Sequence, residues 1–178
     1  RIFCSSFAYD RMPDRVIQSE LWEVMADGSG SRQLQAMPDM RLYSPAFSPD
    51  GEMIAFTASS LTDITYAQTE LGICQADGSK AEILTEDFDR RLSSIRWGTD
   101  NRTLYFTASN EGYNPIYGKD IRRGKAKVVA GEELGVRDYD IAGDVLVYAA
   151  TQVSNPWEIY MSDEKGRNAQ QLTDLNSG

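Results

Sequence analysis

The sequence repeats itself at an interval of 50 residues. The segment LWEVMADGS at 21–29 returns as LGICQADGS at 71–79, and IAFTAS at 54–59 returns as LYFTAS at 104–109. A period of 20 to 50 residues is typical of chains that stack copies of one small supersecondary unit. The chain is therefore expected to consist of copies of one unit, with no separate domain of another kind.

Glycine-containing turns mark two kinds of hairpin in these copies. Glycine adopts the positive φ that a tight hairpin needs. The first kind recurs with glycines 50, 46 and 42 residues apart, at Asp27-Gly28, Asp77-Gly78, Arg123-Gly124 and Lys165-Gly166. The second kind precedes each of the last three copies, with turns at Asp50-Gly51, Asp100-Asn101 and Gly143-Asp144.

Each copy thus contains short strands rich in β-branched and aromatic residues, and no segment shows a sustained helical period. Four antiparallel strands every 42 to 50 residues are the signature of a β-propeller blade. We predict an all-β chain of about four four-stranded units and no catalytic domain. The units lie at approximately 1–37, 38–85, 86–130 and 131–175, and the first lacks its opening strand.

Apolar residues alternate at matching places in the units, so they share one face of each sheet. We expect this face to fill the space between neighbouring blades. Trp157 is aligned with Trp22 in the third strand of its unit, and both are interpreted as packing residues. The pairs on the shared face are Ile2 and Cys4, Ile54 and Phe56, Leu104 and Phe106, and Leu146 and Tyr148.

Composition narrows the chemistry that the chain can perform. It has no His and two Cys, so neither a Ser-His-Asp triad nor a four-ligand zinc site of thiolate and imidazole groups can be built within it. Cys4 and Cys74 lie in apolar runs and are interpreted as buried free thiols. We predict no catalytic residue, cofactor or metal. The acidic pair Asp138 and Asp140 could face one cation, but solvated acids before a strand are the favoured interpretation.

The net charge bears on partners. With 27 acidic and 18 basic side chains it is −9, which disfavours nucleic acid and acidic membrane surfaces. No apolar stretch is long enough to cross a bilayer as a helix, so membrane insertion is not expected. If the four units form an open arc, their apolar end faces are exposed, and we predict self-association through them.

Two segments resemble a known family. The stretch SPAFSPDGEMIAFTA at 44–58 resembles the SPDG-centred repeat of TolB-type proteins and of the N-terminal propellers of the prolyl oligopeptidase family of serine peptidases. The end, NPWEIYMSDEKGRNAQQLTDLNSG at 155–178, is similar to the last propeller blade of acylaminoacyl and dipeptidyl peptidases. The resemblance covers essentially the whole chain, as blades without the GxSxG nucleophile motif. It implies the C-terminal blades of a seven- or eight-bladed propeller.

In that family the propeller covers an α/β-hydrolase domain and admits only short peptides. The resemblance therefore implies a non-catalytic segment that gates access of short peptides to a hydrolase domain lying C-terminal to this chain. The parent protein would then be a serine peptidase, in the bacterial cytoplasm or the periplasm, with any signal peptide upstream. The alternative is a TolB-like scaffold that mediates protein–protein interaction.

Long connectors supply the candidate site. The segments 8–19 and 59–69 are longer than their counterparts, and both emerge at the end of the units where the links between units also lie. Recognition often resides in such loops. The resemblance also draws attention to an adjacent glutamate pair, because dipeptidyl peptidases grip the substrate's amino end with two propeller glutamates; the other interpretation of this pair is a plain connector. The candidates are Tyr9, Arg11, Arg15, Tyr66, Tyr113, Glu132 and Glu133.

Overall fold

The computed structural model describes residues 2–8, 18–61 and 67–175. They form fifteen strands in four antiparallel sheets, the first with three strands and the others with four. The prediction of an all-β chain of propeller-blade-like units is confirmed. In the described part of the chain, no helix has the length and apolarity to cross a membrane. The chain divides into two compact units, Arg1–Asp89 and Arg90–Gly178.

The first unit contains two sheets whose strands pair in chain order. Sheet 1 consists of β1 (Ile2–Ala8), β2 (Gln18–Val24) and β3 (Ser31–Gln35). Sheet 2 consists of β4 (Met40–Phe47), β5 (Met53–Ser60), β6 (Thr69–Gln75) and β7 (Glu82–Ile83). The pairing Cys4 to Trp22 in sheet 1 corresponds to Phe56 to Gly72 in sheet 2, so β1, β2 and β3 correspond to the second, third and fourth strands of a full sheet.

The second unit also contains two sheets in chain order. Sheet 3 consists of β8 (Leu92–Trp97), β9 (Thr103–Ala108), β10 (Ile116–Asp120) and β11 (Lys127–Ala130). Sheet 4 consists of β12 (Gly135–Ala142), β13 (Val145–Gln152), β14 (Asn155–Asp163) and β15 (Gln170–Gln171).

Aspartate side chains fix the hairpins between first and second strands. Asp50 accepts hydrogen bonds from the Ser48 hydroxyl at 2.6 Å and the Glu52 amide at 3.0 Å, while Gly51 adopts a φ of 74°. In sheet 3 the same place is taken by Asp100, followed by Asn101 at a φ of 56°. Asparagine is one of the few residues that tolerate this region, so the hairpin survives the loss of glycine.

Each unit has its own apolar core, to which both of its sheets contribute. In the first unit, Leu21 and Leu34 of sheet 1 pack with a group from sheet 2 that consists of Leu42, Ile54, Phe56, Ala58 and Cys74. In the second unit, Tyr105, Ile116 and Ala130 of sheet 3 pack with a group from sheet 4 that includes Val136, Tyr139, Leu146, Tyr148 and Tyr160. The predicted packing face is confirmed for Ile54 and Phe56 of sheet 2 and for Leu146 and Tyr148 of sheet 4. Leu104 and Phe106 of sheet 3 are buried, but the residue of β9 that packs against sheet 4 is Tyr105. In sheet 1 its counterparts differ, because Ile2 is 55% exposed and Cys4 is half-buried.

A glutamate and a threonine close the fourth strand of sheet 2. The Thr85 hydroxyl donates to the Glu70 carboxylate at 2.7 Å and accepts from the Leu71 amide at 2.8 Å. One hydroxyl therefore satisfies a main-chain donor and a half-buried carboxylate that would otherwise lose hydration without replacement. Burial raises the pKa of Glu70, and the hydrogen bond from Thr85 opposes that rise.

The same pair occurs in sheet 4 and is absent from sheet 3. Thr173 donates to Glu158, which is fully buried, and accepts from the Ile159 amide at 2.8 Å. In sheet 3, the pairing register places Pro115 and Ala130 at the two positions. Both partners are replaced together, so sheet 3 buries neither a lone carboxylate nor a lone hydroxyl there.

A main-chain contact joins the sheets within each unit. A Cβ added to Gly78, in the last turn of sheet 2, would overlap the Leu34 carbonyl in β3 of sheet 1. A Cβ added to Gly166, in the last turn of sheet 4, would overlap the Val129 carbonyl at the matching position of sheet 3. Both glycines have positive φ as well, at 89° and 77°. The contact therefore repeats from one unit to the other.

Candidate functional site

Tyr113 lies in the short turn between the second and third strands of sheet 3. The amides and carbonyls of Asn110 and Tyr113 exchange two hydrogen bonds of 2.9 Å. Glu111 and Gly112 between them both adopt positive φ, at 52° and 91°. The Tyr113 side chain is half-buried at the end of the sheet.

Glu132 and Glu133 lie in the turn that links sheet 3 to sheet 4. Gly131 opens this turn with a φ of 68°, and its carbonyl accepts a 3.0 Å hydrogen bond from the Leu134 amide. Both glutamate side chains are exposed. The structure therefore places them on a connector, where a bound ammonium would be largely hydrated.

Asn114 ties this connector to the Tyr113 turn. Its amide donates to the Leu134 carbonyl at 2.9 Å, and its side-chain Nδ2 donates to the Val136 carbonyl at 2.6 Å. Tyr113, Glu132 and Glu133 consequently lie at one end of the second unit. The other candidates, Tyr9, Arg11, Arg15 and Tyr66, fall outside the described residues and stay predictions.

A charged cluster that was not predicted from the sequence lies on the first strands of sheets 3 and 4. Arg96 of β8 lies 4.0 Å from Asp138 and 3.9 Å from Asp140 of β12, and its guanidinium is 5.9 Å from the centre of the Tyr139 ring. Tyr139 is buried and donates to the Ser94 carbonyl at 2.5 Å. Burial raises the pKa of Tyr139, although the nearby arginine acts in the opposite direction.

The two aspartates of this cluster are exposed, as the interpretation of solvated acids requires. Among the described residues, no three His, Cys, Asp or Glu side chains lie close enough together to hold a metal ion. The cluster therefore presents one cation and two anions to solvent, held in place by a neutral buried phenol. The signal in the sequence was the alternation of charge and aromatic residues in SIRW at 94–97 and DYD at 138–140.

The interpretation of Trp157 as a packing residue equivalent to Trp22 is wrong. Trp22 pairs with Cys4, and the corresponding pair in sheet 4 is Tyr148 with Tyr160. Trp157 is 44% exposed, and the Arg137 guanidinium lies 5.5 Å from its ring centre. An amphipathic side chain partly covered by a cation is suited to recognition of polar and apolar groups together.

The thiols also differ from expectation in one case. Both cysteines are free, and Cys74 is buried, but Cys4 is half-buried. Burial raises the pKa of Cys74 to about 11, so this side chain remains a neutral thiol at physiological pH. Cys74 thus acts as a small apolar core residue.

Comparison with known proteins identifies the fold. No protein-family model matches the chain, and a search of curated proteins finds no match. Among solved structures, the chain is similar to the β-propeller domain of the Trilobed protease from Pyrococcus furiosus, at 20% identity and a TM-score of 0.78, over 99% of this chain and 52% of that one.

Two further similarities point to the same architecture. Acylaminoacyl peptidase from Pyrococcus horikoshii matches at 23% identity and a TM-score of 0.71, over 97% of this chain and 25% of that one. TolB from Acinetobacter baumannii matches at 18% identity and a TM-score of 0.65, over 88% of this chain and 38% of that one. The chain spans about half or less of the length of these proteins. Its sheets are β-propeller blades structurally similar to those of acylaminoacyl peptidase and TolB.

Proposed function

We propose that this chain supplies part of the propeller of a serine peptidase and helps to restrict which peptides reach a hydrolase domain. The observation that carries the proposal is the structural likeness to a protease propeller and to an acylaminoacyl peptidase over 97% or more of the chain. A puromycin-hydrolysing peptidase from Mycobacterium tuberculosis adds to it, with a TM-score of 0.73 over 97% of the chain. On this proposal the units near 1–37, 38–85, 86–130 and 131–175 are blades of a seven- or eight-bladed ring.

The described surface supports selection by shape more than by a charge clamp. Glu132 and Glu133 are exposed, and exposed ion pairs typically contribute only about 0–1 kcal/mol. Tyr113 and the connector, in contrast, are held by main-chain and Asn114 hydrogen bonds. We call Tyr113 and this connector the rim. A rigid rim can exclude bulky substrates without binding them, as selection by size requires.

The test uses the complete natural protein in which this sequence occurs. Its hydrolysis of a short chromogenic peptide is compared with its hydrolysis of the same cleavage sequence placed inside a long unfolded polypeptide. We expect the short peptide to be cleaved and the long one to be spared. Replacing each of the connectors 8–19 and 59–69 with a short glycine turn should raise cleavage of the long substrate relative to the short one.

Point variants separate the rim from the glutamates. Tyr113→Ala should relax the size limit, and the double change E132Q and E133Q should leave it unaltered. Glu52→Gln is the matched control, since Glu52 is also an exposed turn glutamate but follows the Asp50 hairpin of sheet 2. A complete protein that cleaves none of these substrates would overturn the proposal.

A TolB-like scaffold is the second candidate, because two TolB structures match 88% and 89% of the chain at TM-scores of 0.65 and 0.67. For a scaffold, Tyr113→Ala would weaken capture of a protein partner and no peptide would be hydrolysed. The peptidase and puromycin hydrolase structures match 97–99% of the chain, more than the two TolB structures do, and this favours the first proposal.

A further inference from the structure

In the first unit, a buried carboxylate lies where sheet 1 packs against sheet 2. Glu23 of β2 is 1% exposed and lies on the same side of its strand as Leu21, which packs with sheet 2. The Glu23 carboxylate accepts a 2.5 Å hydrogen bond from Nε of Arg32, in the neighbouring strand β3. The buried carboxylate is therefore paired with a cation of its own sheet.

A second carboxylate lies close to the same cation. Asp77 is in the last turn of sheet 2, immediately before the glycine that contacts the Leu34 carbonyl. Hydrogen bonds from Ser79 lower the pKa of Asp77, and the positive charge of Arg32 adds to this shift. In the first unit, the β3 cation thus has one carboxylate neighbour in its own sheet and another in the next sheet.

The second unit keeps the cation of the fourth strand but lacks the carboxylate of the same sheet. Gly118 of β10 pairs with Lys127 of β11. The strand pairing aligns these two residues with Glu23 and Arg32, which pair in the same way in sheet 1. Glycine has no side chain, so Lys127 lacks the partner that Arg32 has in its own sheet.

The carboxylate of the next sheet is also missing from the second unit. Lys165 precedes Gly166 in the last turn of sheet 4, at the position that Asp77 has in sheet 2. The side chains of Lys127 and Lys165 are both exposed, and neither forms an ion pair with any described residue. Two ammonium groups therefore occur where the first unit has one cation and two carboxylates.

A cavity of about 490 Å³ lies at this place, between sheets 3 and 4. Its size is within the range of about 300–1,000 Å³ that is typical of small-molecule sites. Gly118, Tyr105 and Val129 line it together with both lysines. Because the two sheets pack against each other within one unit, a further blade on the far side of either sheet would leave this cavity open.

The cavity wall offers a hydrogen-bond donor beside an apolar surface. Tyr105 is 3% exposed, and its hydroxyl has no hydrogen-bond partner among the described residues. Burial raises the pKa of Tyr105, and the charges of Glu164 and Asp100 add to that rise, so the phenol keeps its proton. Val128 and Val129 supply apolar surface next to it. This wall suits a ligand that has an apolar body and a hydrogen-bond acceptor.

Three carboxylates also line the cavity, and each is bound by a donor of the protein itself. Asp120 accepts a 2.6 Å hydrogen bond from an arginine of β9's preceding turn. Asp100 accepts from the Thr103 hydroxyl at 2.8 Å, and Glu164 accepts from the Thr99 hydroxyl at 3.2 Å. Among the described residues, the two lysine ammonium groups have no such partner.

We propose that this cavity binds a small organic carboxylate, with the charged group between Lys127 and Lys165 and the apolar body against Tyr105 and Val129. The ligand would supply from outside the negative charge that the first unit supplies from its own side chains. Hydrogen bonds between an ammonium group and a carboxylate are among the strong ones. The cavity is at the opposite end of sheet 3 from the Tyr113 turn, so the proposal does not depend on the size filter.

The test is isothermal titration of the complete natural protein with 3-phenylpropionate. We expect saturable binding, and 3-phenylpropanol, which has the same ring but no charge, should bind at least about tenfold more weakly. N-acetylphenylalanine imitates the carboxyl end of a peptide, so the tighter of the two acids identifies a free acid or a peptide end as the source of the carboxylate. Inorganic phosphate that binds as tightly as both acids would overturn the assignment to a carboxylate.

Variants locate the binding in this cavity. Lys127→Gln should weaken it by about threefold to tenfold. Lys165→Asp and Gly118→Glu each restore a carboxylate that the first unit has, so each should abolish binding. A Cβ at Gly118 would lie 2.8 Å from Val129 Cγ2, a side-chain atom that can shift. Lys80→Gln is the matched control, since Lys80 is an exposed lysine in the last turn of sheet 2, and it should bind like the parent protein.

Thermal unfolding separates loss of binding from loss of structure. Lys165→Asp gives Lys127 an anionic neighbour, so its melting temperature should equal or exceed that of the parent protein while binding is lost. A parent protein that binds neither acid overturns the proposal. So does a folded Lys165→Asp variant that binds like the parent, because the acid then occupies another site. Since the readout is binding, a protein without peptidase activity can still confirm this inference.

Discussion

The Tyr139 hydroxyl of sheet 4 donates a 2.5 Å hydrogen bond to the Ser94 carbonyl of sheet 3. Ser94 adopts a φ of 57° in a bulge of β8, between Ser93 and Arg96, so it has no partner in the β8–β9 ladder. The bulge turns a carbonyl away from its own sheet, and the neighbouring sheet satisfies it. The packing of the two sheets in the second unit therefore has a polar as well as an apolar component.

Tyr139→Phe is expected to lower the free energy of unfolding by about 1 kcal/mol, because the Ser94 carbonyl loses the hydroxyl that donates a hydrogen bond to it. Chemical denaturation monitored by fluorescence measures this change. Tyr148→Phe is the matched control, since Tyr148 is also buried against the same core but its hydroxyl has no hydrogen-bond partner in the described structure. Equal losses in the two variants would contradict a specific contribution from the Ser94 bond.

Thr85→Val should destabilise the first unit by about 1–3 kcal/mol, since the Leu71 amide and the Glu70 carboxylate lose their shared partner. The loss should be larger at pH 8 than at pH 4. The folded pKa of Glu70 lies above its ordinary value, so ionisation opposes folding and stability falls as pH rises through these values. Removing Thr85 enlarges that penalty.

Two further variants isolate the carboxylate. Thr85→Ser keeps the hydroxyl and should retain most of the stability at both pH values. Adding Glu70→Gln to Thr85→Val should abolish the extra loss at pH 8, because no charge remains at position 70. Urea denaturation of the parent chain and these three variants at both pH values provides the comparison, and a pH-independent effect of Thr85→Val would contradict this account.

Gly78→Ala should be far more harmful than Gly51→Ala. Both glycines have positive φ, at 89° and 74°, so each substitution incurs a backbone cost of about 1 kcal/mol. A Cβ at Gly51 meets open space, whereas one at Gly78 overlaps the Leu34 carbonyl and forces sheets 1 and 2 apart. We expect an additional loss of about 1–3 kcal/mol in thermal or chemical unfolding. Similar melting temperatures for the two variants would refute the close contact.

The thiols should differ in reactivity. In the folded chain at pH 8, a thiol reagent such as dithionitrobenzoate should modify Cys4 first, since Cys74 is buried and burial holds its pKa near 11. Cys4→Ser should remove the fast phase, and denaturant should release both thiols in the parent chain. Dilute protein avoids protection of Cys4 by self-association. Two equally fast thiols in the native state would contradict the burial of Cys74.

The repeat in the sequence was sufficient to predict the sheets, because turn glycines and strand alternation are local signals. The error at Trp157 arose from aligning aromatic residues instead of counting from the turn. Trp22, Gly72 and Tyr160 each lie six residues before their turn glycine, at Gly28, Gly78 and Gly166. That count would have identified Tyr160.

Relationships between sheets could not be predicted in the same way. Arg96 meets Asp138 and Asp140 only because β8 and β12 approach each other, and nothing local to either strand encodes that approach. The glutamate and threonine pair was accessible, since Leu71 to Thr85 and Ile159 to Thr173 share a spacing of 14 residues. Its meaning depended on the pairing of the third and fourth strands, which brings the threonine hydroxyl against the main-chain amide.

The glycine contact between sheets also explains how such a fold tolerates divergence. At this point one sheet contributes a main-chain carbonyl and the other contributes a glycine, which has no side chain. Mutation of the residue that bears the carbonyl therefore leaves the contact intact. Leu34 and Val129 already differ while serving the same purpose. This docking geometry therefore places no requirement on the side chain of the residue that bears the carbonyl.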